Sequence, residues 1–283
     1  MKIKKLKYVL IIIGVILLVI AAFDSRLKVV NYTLESEKIS GNITFVLISD
    51  LHGCEYGKRQ SELLEEIEKA KPDAVLLCGD IFDDKYNTGG SYDLIDGLKG
   101  KYETFYVSGN HEWWGTDTLG IFSRIEDRGV KVLRGNVKSL EINGNKVSIS
   151  GTDDPEVDEA DKNHIGFYEQ LASVGAKISD DCFNILLSHR PELAEKYFNY
   201  NFDLVLSGHA HGGQVRIPFI LNGLYSPGEG FFPKMAGGLY EFESGKMIVS
   251  RGLSRENTVL PRIFNRPELV VITVNEKIKD EQE

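Results

Sequence analysis

Phe45-Val46-Leu47-Ile48-Ser49-Asp50-Leu51-His52 is the stretch whose reading decides the fold. A short aliphatic run ended by Ser or Gly suits a buried strand. The Asp and His behind it then fall where strand gives way to loop. The same arrangement recurs along the chain. Val75-Leu76-Leu77-Cys78 leads into Gly79-Asp80, with Asp83 just behind, and Phe105-Tyr106-Val107 leads into Gly109-Asn110-His111-Glu112. Ile185-Leu186-Leu187 precedes Ser188-His189-Arg190, and Leu204-Val205-Leu206 precedes Gly208-His209-Ala210-His211. Layered α/β folds build ligand sites at the carboxyl ends of their strands. Several such ends side by side would gather residues far apart in sequence.

The segments between the runs fit an α/β alternation. Leu63, Leu64, Ile67 and Ala70 share one face of a helix over residues 61–70. Weaker helical patterns cover residues 92–98, 116–125 and 164–174. Residues 137–150 read as a hairpin turned by Asn143-Gly144. Further strands are expected at 247–249 and 269–274.

Of the chain's 6 histidines, only His164 lies outside these motifs. One buried histidine is ordinarily a hydrogen-bonded core residue. A set that joins His, Asp and Asn supplies the ligands that Mn, Fe and Zn accept. Two cations roughly 3.5–4 Å apart can share a water and lower its pKa. Holding them that close needs a bridging carboxylate, and Asp80 is the natural candidate. A leaving alkoxide needs a proton, which imidazole supplies near neutral pH. His111 would serve, held by Asp83.

With these motifs the chain resembles the calcineurin-like metallophosphoesterases, over nearly all of residues 42–274. The resemblance implies a four-layer α/β/β/α sandwich and two divalent metal ions, whether Mn, Fe, Zn or Mg. It implies that Asp50, His52, Asp80 and His211 form one metal site, and that Asp80 bridges to a second with Asn110, His189 and His209. His111 then faces the leaving group rather than a metal, and Asp83 orients it. The family pattern usually ends in Asp where Glu112 stands; that position is not a ligand.

At the N-terminus, Lys2, Lys4, Lys5 and Lys7 precede an unbroken apolar run over residues 8–23. At 1.5 Å per residue such a helix is about 24 Å long, a little short of a bilayer core of about 30 Å, and flanking lysines absorb the difference. The competing reading is a cleaved signal peptide, but Val19-Ile20-Ala21-Ala22 is not a clean Ala-x-Ala site. The expected organisation is therefore a lysine cluster and transmembrane signal-anchor over 1–24, a linker and first strand approach over 25–41, the catalytic domain over 42–276 and a polar tail over 277–283. The lysine bias keeps the N-terminus in the cytoplasm and the catalytic domain outside it, in a single-pass protein of the cell membrane.

The net charge of −9 and pI of about 5.3 argue against a nuclease, which would present a basic face to phosphate backbones. No nucleic-acid partner is expected. The 3 cysteines form no disulfide framework: Cys78 suits the core, and Cys54 is at most an extra ligand. The acidic run over 153–161 reads as a solvated loop. The Gly- and Pro-rich stretch over 212–233 reads as loop, yet it carries Phe219, Ile220, Phe231 and Phe232. Those residues either pack on the sheet edge or, with Trp113 and Trp114, form an apolar wall that meets lipid. Residues 260–268 also resemble the membrane-associated phosphodiesterase branch of the family, similar to cell-wall-associated phosphoesterases and UDP-diacylglucosamine pyrophosphohydrolases. Three functions stand side by side: an anchored phosphodiesterase or pyrophosphatase of an envelope substrate, such as a lipid-linked one; a phosphomonoesterase or protein phosphatase; and a non-catalytic anchored module. Full retention of the ligand set disfavours the last.

Overall fold

Residues 2–255 and 260–278 are described by a computed structural model. After the long helix α1 (Lys2–Ala22), the chain forms β1 (Lys28–Ser36), β2 (Asn42–Ile48), β3 (Ala74–Cys78), β4 (Glu103–Val107) and β5 (Lys131–Val132). It continues through β6 (Asn136–Ile142), β7 (Asn145–Gly151), β8 (Phe183–Leu187) and β9 (Leu204–Ser207). A small hairpin follows, β10 (Tyr225–Ser226) and β11 (Gly230–Phe231), then β12 (Gly238–Phe242), β13 (Gly245–Val249) and β14 (Glu268–Glu276). The helices between are α2 (Ser61–Ala70), α3 (Gly89–Leu98), α4 (Asn110–Trp114), α5 (Thr118–Glu126), α6 (Val157–Ala160), α7 (Phe167–Gly175) and α8 (Ala194–Tyr197).

The strands make two six-stranded sheets, ordered β1-β14-β2-β3-β4-β5 and β12-β13-β9-β8-β7-β6. Strand periodicity decides how they stack, because alternate residues leave opposite faces. Ile43, Phe45 and Leu47 of β2 meet Ile185 and Leu187 of β8 and Leu204 and Leu206 of β9 in a core between the sheets. Val46 and Ile48, on the other face of β2, pack under α2 and α3 through Leu63, Ile67, Leu94 and Leu98. Across the molecule, Leu186 and Val205 face outward in a cluster that includes Phe167, Leu171 and Val174 of α7. The result is the expected α/β/β/α sandwich.

Helix ends fall within a few residues of the sequence expectation, and the 137–150 hairpin turns at Asn143 (φ 51) and Gly144 (φ 79) as read. Two expectations change. The segment expected as linker and strand approach already holds a strand, β1, a full member of the first sheet that pairs in parallel with β14 from Lys28↔Glu268 to Ser36↔Glu276. Its side chains are mostly half-exposed, so no apolar run marked it. The acidic stretch is solvated only over its later part, where Asp158 and Glu159 are exposed; Asp153 and Asp154 are buried. Arg134 Nε reaches Asp153 Oδ2 at 2.8 Å, and Arg190 grips Asp154 with Nε and Nη2 at 2.8 and 3.0 Å. Of the expected polar tail, residues 279–283 lie outside the described residues.

α1 stands apart from both cores. Its span Lys4–Ala22 has a mean hydropathy of 2.5 and is 6% buried.

Candidate metal centre

β2, β3 and β4 run parallel in one sheet, and β8 and β9 run parallel in the other. Their carboxyl ends deliver every motif to one place. Asp50 N donates to Gly79 O at 3.0 Å, His52 N to Asp80 O at 3.0 Å, and Gly208 N to His189 O at 3.0 Å. The loops from different strands are thus sewn together by their backbones. Two carboxylates carry the cross-links further: Asp80 Oδ1 accepts from His111 N at 2.9 Å, and Asp50 Oδ1 accepts from His209 N at 2.9 Å.

The glycines of the motifs are a packing requirement. A Cβ on Gly79 would lie 2.4 Å from the His189 ring, one on Gly109 2.2 Å from Asp80 Oδ1, and one on Gly208 2.4 Å from Asp50 Oδ2. Gly79 also sits at φ 78, a conformation it adopts without penalty. The loops are strained elsewhere. Asp50, His52, Asp80, His209 and His211 all have φ between 47 and 64, a region costly for residues with a Cβ and concentrated at functional sites.

Among the described residues three groups of side chains could hold a cation: one joins His52, Asp83 and His111 at the rim, and the other two meet at Asp80. Ligand-type atoms of Asp50, His52, Asp80 and His211 lie within 4.8 Å of one another, as do those of Asp80, His189 and His209. Asp80 belongs to both. Asn110 opens α4 between Gly109 and His111, both of which touch Asp80. All seven residues expected as ligands are therefore gathered here. Cys54 joins none of the groups among the described residues.

The orphaned atoms test whether cations fit. Asp50 Oδ2, His52 Nε2, Asn110 Oδ1, His189 Nε2, His209 Nε2 and His211 Nδ1 are all buried with no hydrogen-bond partner. Leaving so many buried polar atoms unsatisfied is costly unless something else bonds them. Their partners on the far side of the ring are in place. His189 Nδ1 lies 2.8 Å from Cys78 O, and His52 Nδ1 lies 2.7 Å from Asp83 Oδ2. Each contact fixes the tautomer that turns a bare Nε2 inward, as metal-ligating histidines require.

Burial and neighbouring charges set the protonation states, and the proton His189 holds against Asp80, 3.2 Å away, is one a bound cation would displace. Burial, helped by the charge of His189, holds His209 neutral by pushing its pKa well below the ordinary value. Burial and His52 do the same for His211. Burial opposes ionisation of Asp80, but His189, His52 and His111 outweigh it and keep its carboxyl well below the usual range. Burial likewise opposes a charge on His189, yet Asp80 and Asp50 raise its pKa to about 10.

A family model described as calcineurin-like phosphoesterase matches residues 43–213. The chain belongs to that family. It is a metal-dependent phosphoester hydrolase, and its cofactor is a pair of divalent cations. Among relatives of this phosphoesterase, the metallophosphoesterase YkuE of Bacillus subtilis is 30% identical over 257 residues, which is 88% of this chain and 85% of the relative. A metallophosphoesterase of Aquifex aeolicus is 30% identical over 89% of this chain and 93% of its own length. A transmembrane protein with a metallophosphoesterase domain from Danio rerio is 25% identical over 88% of this chain, which spans 57% of the fish protein. Among solved structures, a dimetal phosphatase from Danio rerio superposes with a TM-score of 0.47 at 14% identity, covering 75% of this chain and 88% of that one.

Beside the centre stands His111, 21% exposed. Its partner differs from expectation. Asp83 Oδ2 lies 3.3 Å from His111 Nδ1, whereas Asp84 Oδ1 lies 2.7 Å away. Asp83 Oδ1 accepts the backbone N–H groups of Lys85 and Tyr86, and this turn aims its other oxygen at His52. The sequence reading missed Asp84, although two acids in a row behind Gly79-Asp80 were visible. It also missed the clamp made by Glu112, buried beneath the loops, which accepts from Asp80 N, Phe82 N and Gly109 N at 3.0, 2.9 and 2.7 Å. Trp113 is no apolar wall: it is buried, and its indole N–H donates to Ser108 Oγ at 2.8 Å. Trp114 is exposed, its ring 4.8 Å from that of His111.

Proposed function

We propose that this phosphoesterase is anchored in the cell membrane by residues 1–24 and hydrolyses a phosphodiester or pyrophosphate bond of a cell-envelope substrate on the extracytoplasmic side. The observation that carries the chemistry is the ring of orphaned ligand atoms around Asp80 with the accessible His111 at its rim. Asp50, His52, Asp80 and His211 would hold one cation, and Asp80, Asn110, His189 and His209 the other. When bound, the pair supplies Lewis acidity toward the phosphoryl oxygens and acidifies a water.

The chain's own groups do the rest. Asp84 holds His111 Nδ1, which leaves Nε2 to donate a proton to the departing oxygen. Asp83 holds His52 in the tautomer that faces the centre. Trp114 offers an exposed flat face next to His111, where a leaving group can stack. The charges of Arg190 and Arg262 reach His209 and His211, and Arg262 Nη1 is buried with no partner. Arg190 meets Asp154 and Glu156, and Arg262 donates to Arg251 O.

The N-terminal reading is supported by the exposure and hydropathy of α1 and by the lysines before it. Two assays test the whole. With metal-reconstituted protein, bis-p-nitrophenyl phosphate and a pyrophosphate diester should turn over faster than p-nitrophenyl phosphate. Faster monoester turnover would favour a phosphomonoesterase or protein phosphatase instead. Protease added to intact, wall-stripped cells should digest the domain, and protection until lysis would place it inside.

A further inference from the structure

The loop after His211 supplies nothing to the metal centre, yet it displays its apolar side chains to solvent. Phe219, at 108%, is the most exposed large hydrophobic residue among the described residues, and Ile220 is 82% exposed. Both line a cleft of about 620 Å³ together with Phe264 and the cations Lys28, Arg216 and Arg251. Phe219 (φ 67) and Phe264 (φ 49) have left-handed backbones, a rare state for bulky residues.

The position of this cleft is telling. Phe264 N donates to Ala22 O at 2.7 Å, so a wall of the cleft is bonded to the last residue of α1. Lys28, on another wall, begins β1 directly after it. The cations are only partly neutralised. Arg251 faces Glu268 at 3.3 Å. Arg216 bonds Gly212 O and Asn222, and among the described residues neither it nor Lys28 forms an ion pair within 4.0 Å.

We propose that this cleft is a membrane-docking surface: Phe219 and Ile220 enter the interfacial layer of the bilayer that α1 crosses, while Lys28 and Arg216 meet anionic headgroup phosphates. The proposal rests on α1 being the anchor. Exposed Phe and aliphatic side chains sink into the headgroup boundary, cations are attracted to anionic headgroup phosphates, and the hydrogen bond to Ala22 brings both to the point where the span ends. A consequence follows for the enzyme. Asn265, next to Phe264, donates to His211 O at 2.7 Å. Docking therefore ties the metal centre to the membrane plane through two residues, which suits a phosphoester presented at the lipid surface.

The test uses full-length protein carrying Phe219→Trp in phosphatidylcholine vesicles with some phosphatidylglycerol and lipid brominated near the headgroup. Unsubstituted protein supplies the background from Trp113 and Trp114. Docking predicts quenching beyond that background, and its loss from the Lys28→Glu/Phe219→Trp variant when phosphatidylglycerol is present. Absence of extra quenching in protein that still resists alkaline carbonate extraction would overturn the docking surface and leave the anchor standing. Protein washed off by carbonate would overturn both. A blue shift of the introduced indole that grows with protein density, without quenching, would assign the patch to a second copy of the chain and also overturn the proposal.

Discussion

Gly109→Ala probes how closely the loops are fitted to the bridging carboxylate. The added Cβ would fall 2.2 Å from Asp80 Oδ1 and 2.6 Å from Asp80 N. Ordinary contact needs roughly another 1 Å, and one of the two obstacles is backbone, which cannot rotate away. Overpacking of this kind costs about 1–3 kcal/mol, which in a domain of this size lowers Tm by roughly 2–12 °C. The functional loss should be larger than that figure suggests. Asp80 serves both cation sites, and a misplacement of about 1 Å at a catalytic centre can cost on the order of 10²-fold in rate. Gly115→Ala is the control, since its Cβ would meet nothing nearer than Glu112 O at 3.3 Å. Tm, bound metal per chain and kcat/KM should all fall for Gly109→Ala and stay near the parent for Gly115→Ala. A Gly109→Ala protein with parental metal content and turnover would refute the reasoning that the glycine exists to admit Asp80.

Other expectations concern the residues around the rim. His111→Ala should keep both metals and slow turnover by about 10²–10⁴-fold, with a smaller loss on substrates whose leaving group is already a stable anion; equal loss on all substrates would misplace the proton. Asp84→Asn should reproduce that leaving-group dependence with metal content intact, whereas Asp83→Asn should lower metal content by freeing His52, and the reverse pattern would exchange their roles. Asp154→Ala removes the buried partner of Arg190 but leaves Glu156 and Glu192 beside it, so the loss should fall below the roughly 3–5 kcal/mol of a fully stranded charge; thermal unfolding unchanged within error would show the pair to be inert.

The clustering of these side chains was legible because each follows a short apolar run, and a parallel sheet needs no further information to align its strand ends. What escaped notice depends on partners distant in the chain. Asp153 and Asp154 look like part of a charged surface until Arg134 and Arg190, 19 and 36 residues away, are seen to neutralise them. β1 escaped because a half-exposed strand at the sheet's edge needs no aliphatic run. Which of two adjacent acids reaches His111 is set by the turn at Asp83, whose Oδ1 caps Lys85 N and Tyr86 N, and residue type alone does not encode that choice. The exposure of Phe219 could not be told from packing, since apolar loop residues serve both ends.

Metal stoichiometry tests the central claim most directly. Protein stripped by chelator should be inactive and regain turnover as divalent cation is titrated back, with two ions bound per chain at full activity. Asp80→Asn, which weakens the only side chain shared by the Asp50 and His189 ligand groups among the described residues, should bind fewer ions and stay inactive at saturation. Full turnover from thoroughly stripped protein, or from Asp80→Asn with two ions bound, would contradict the account.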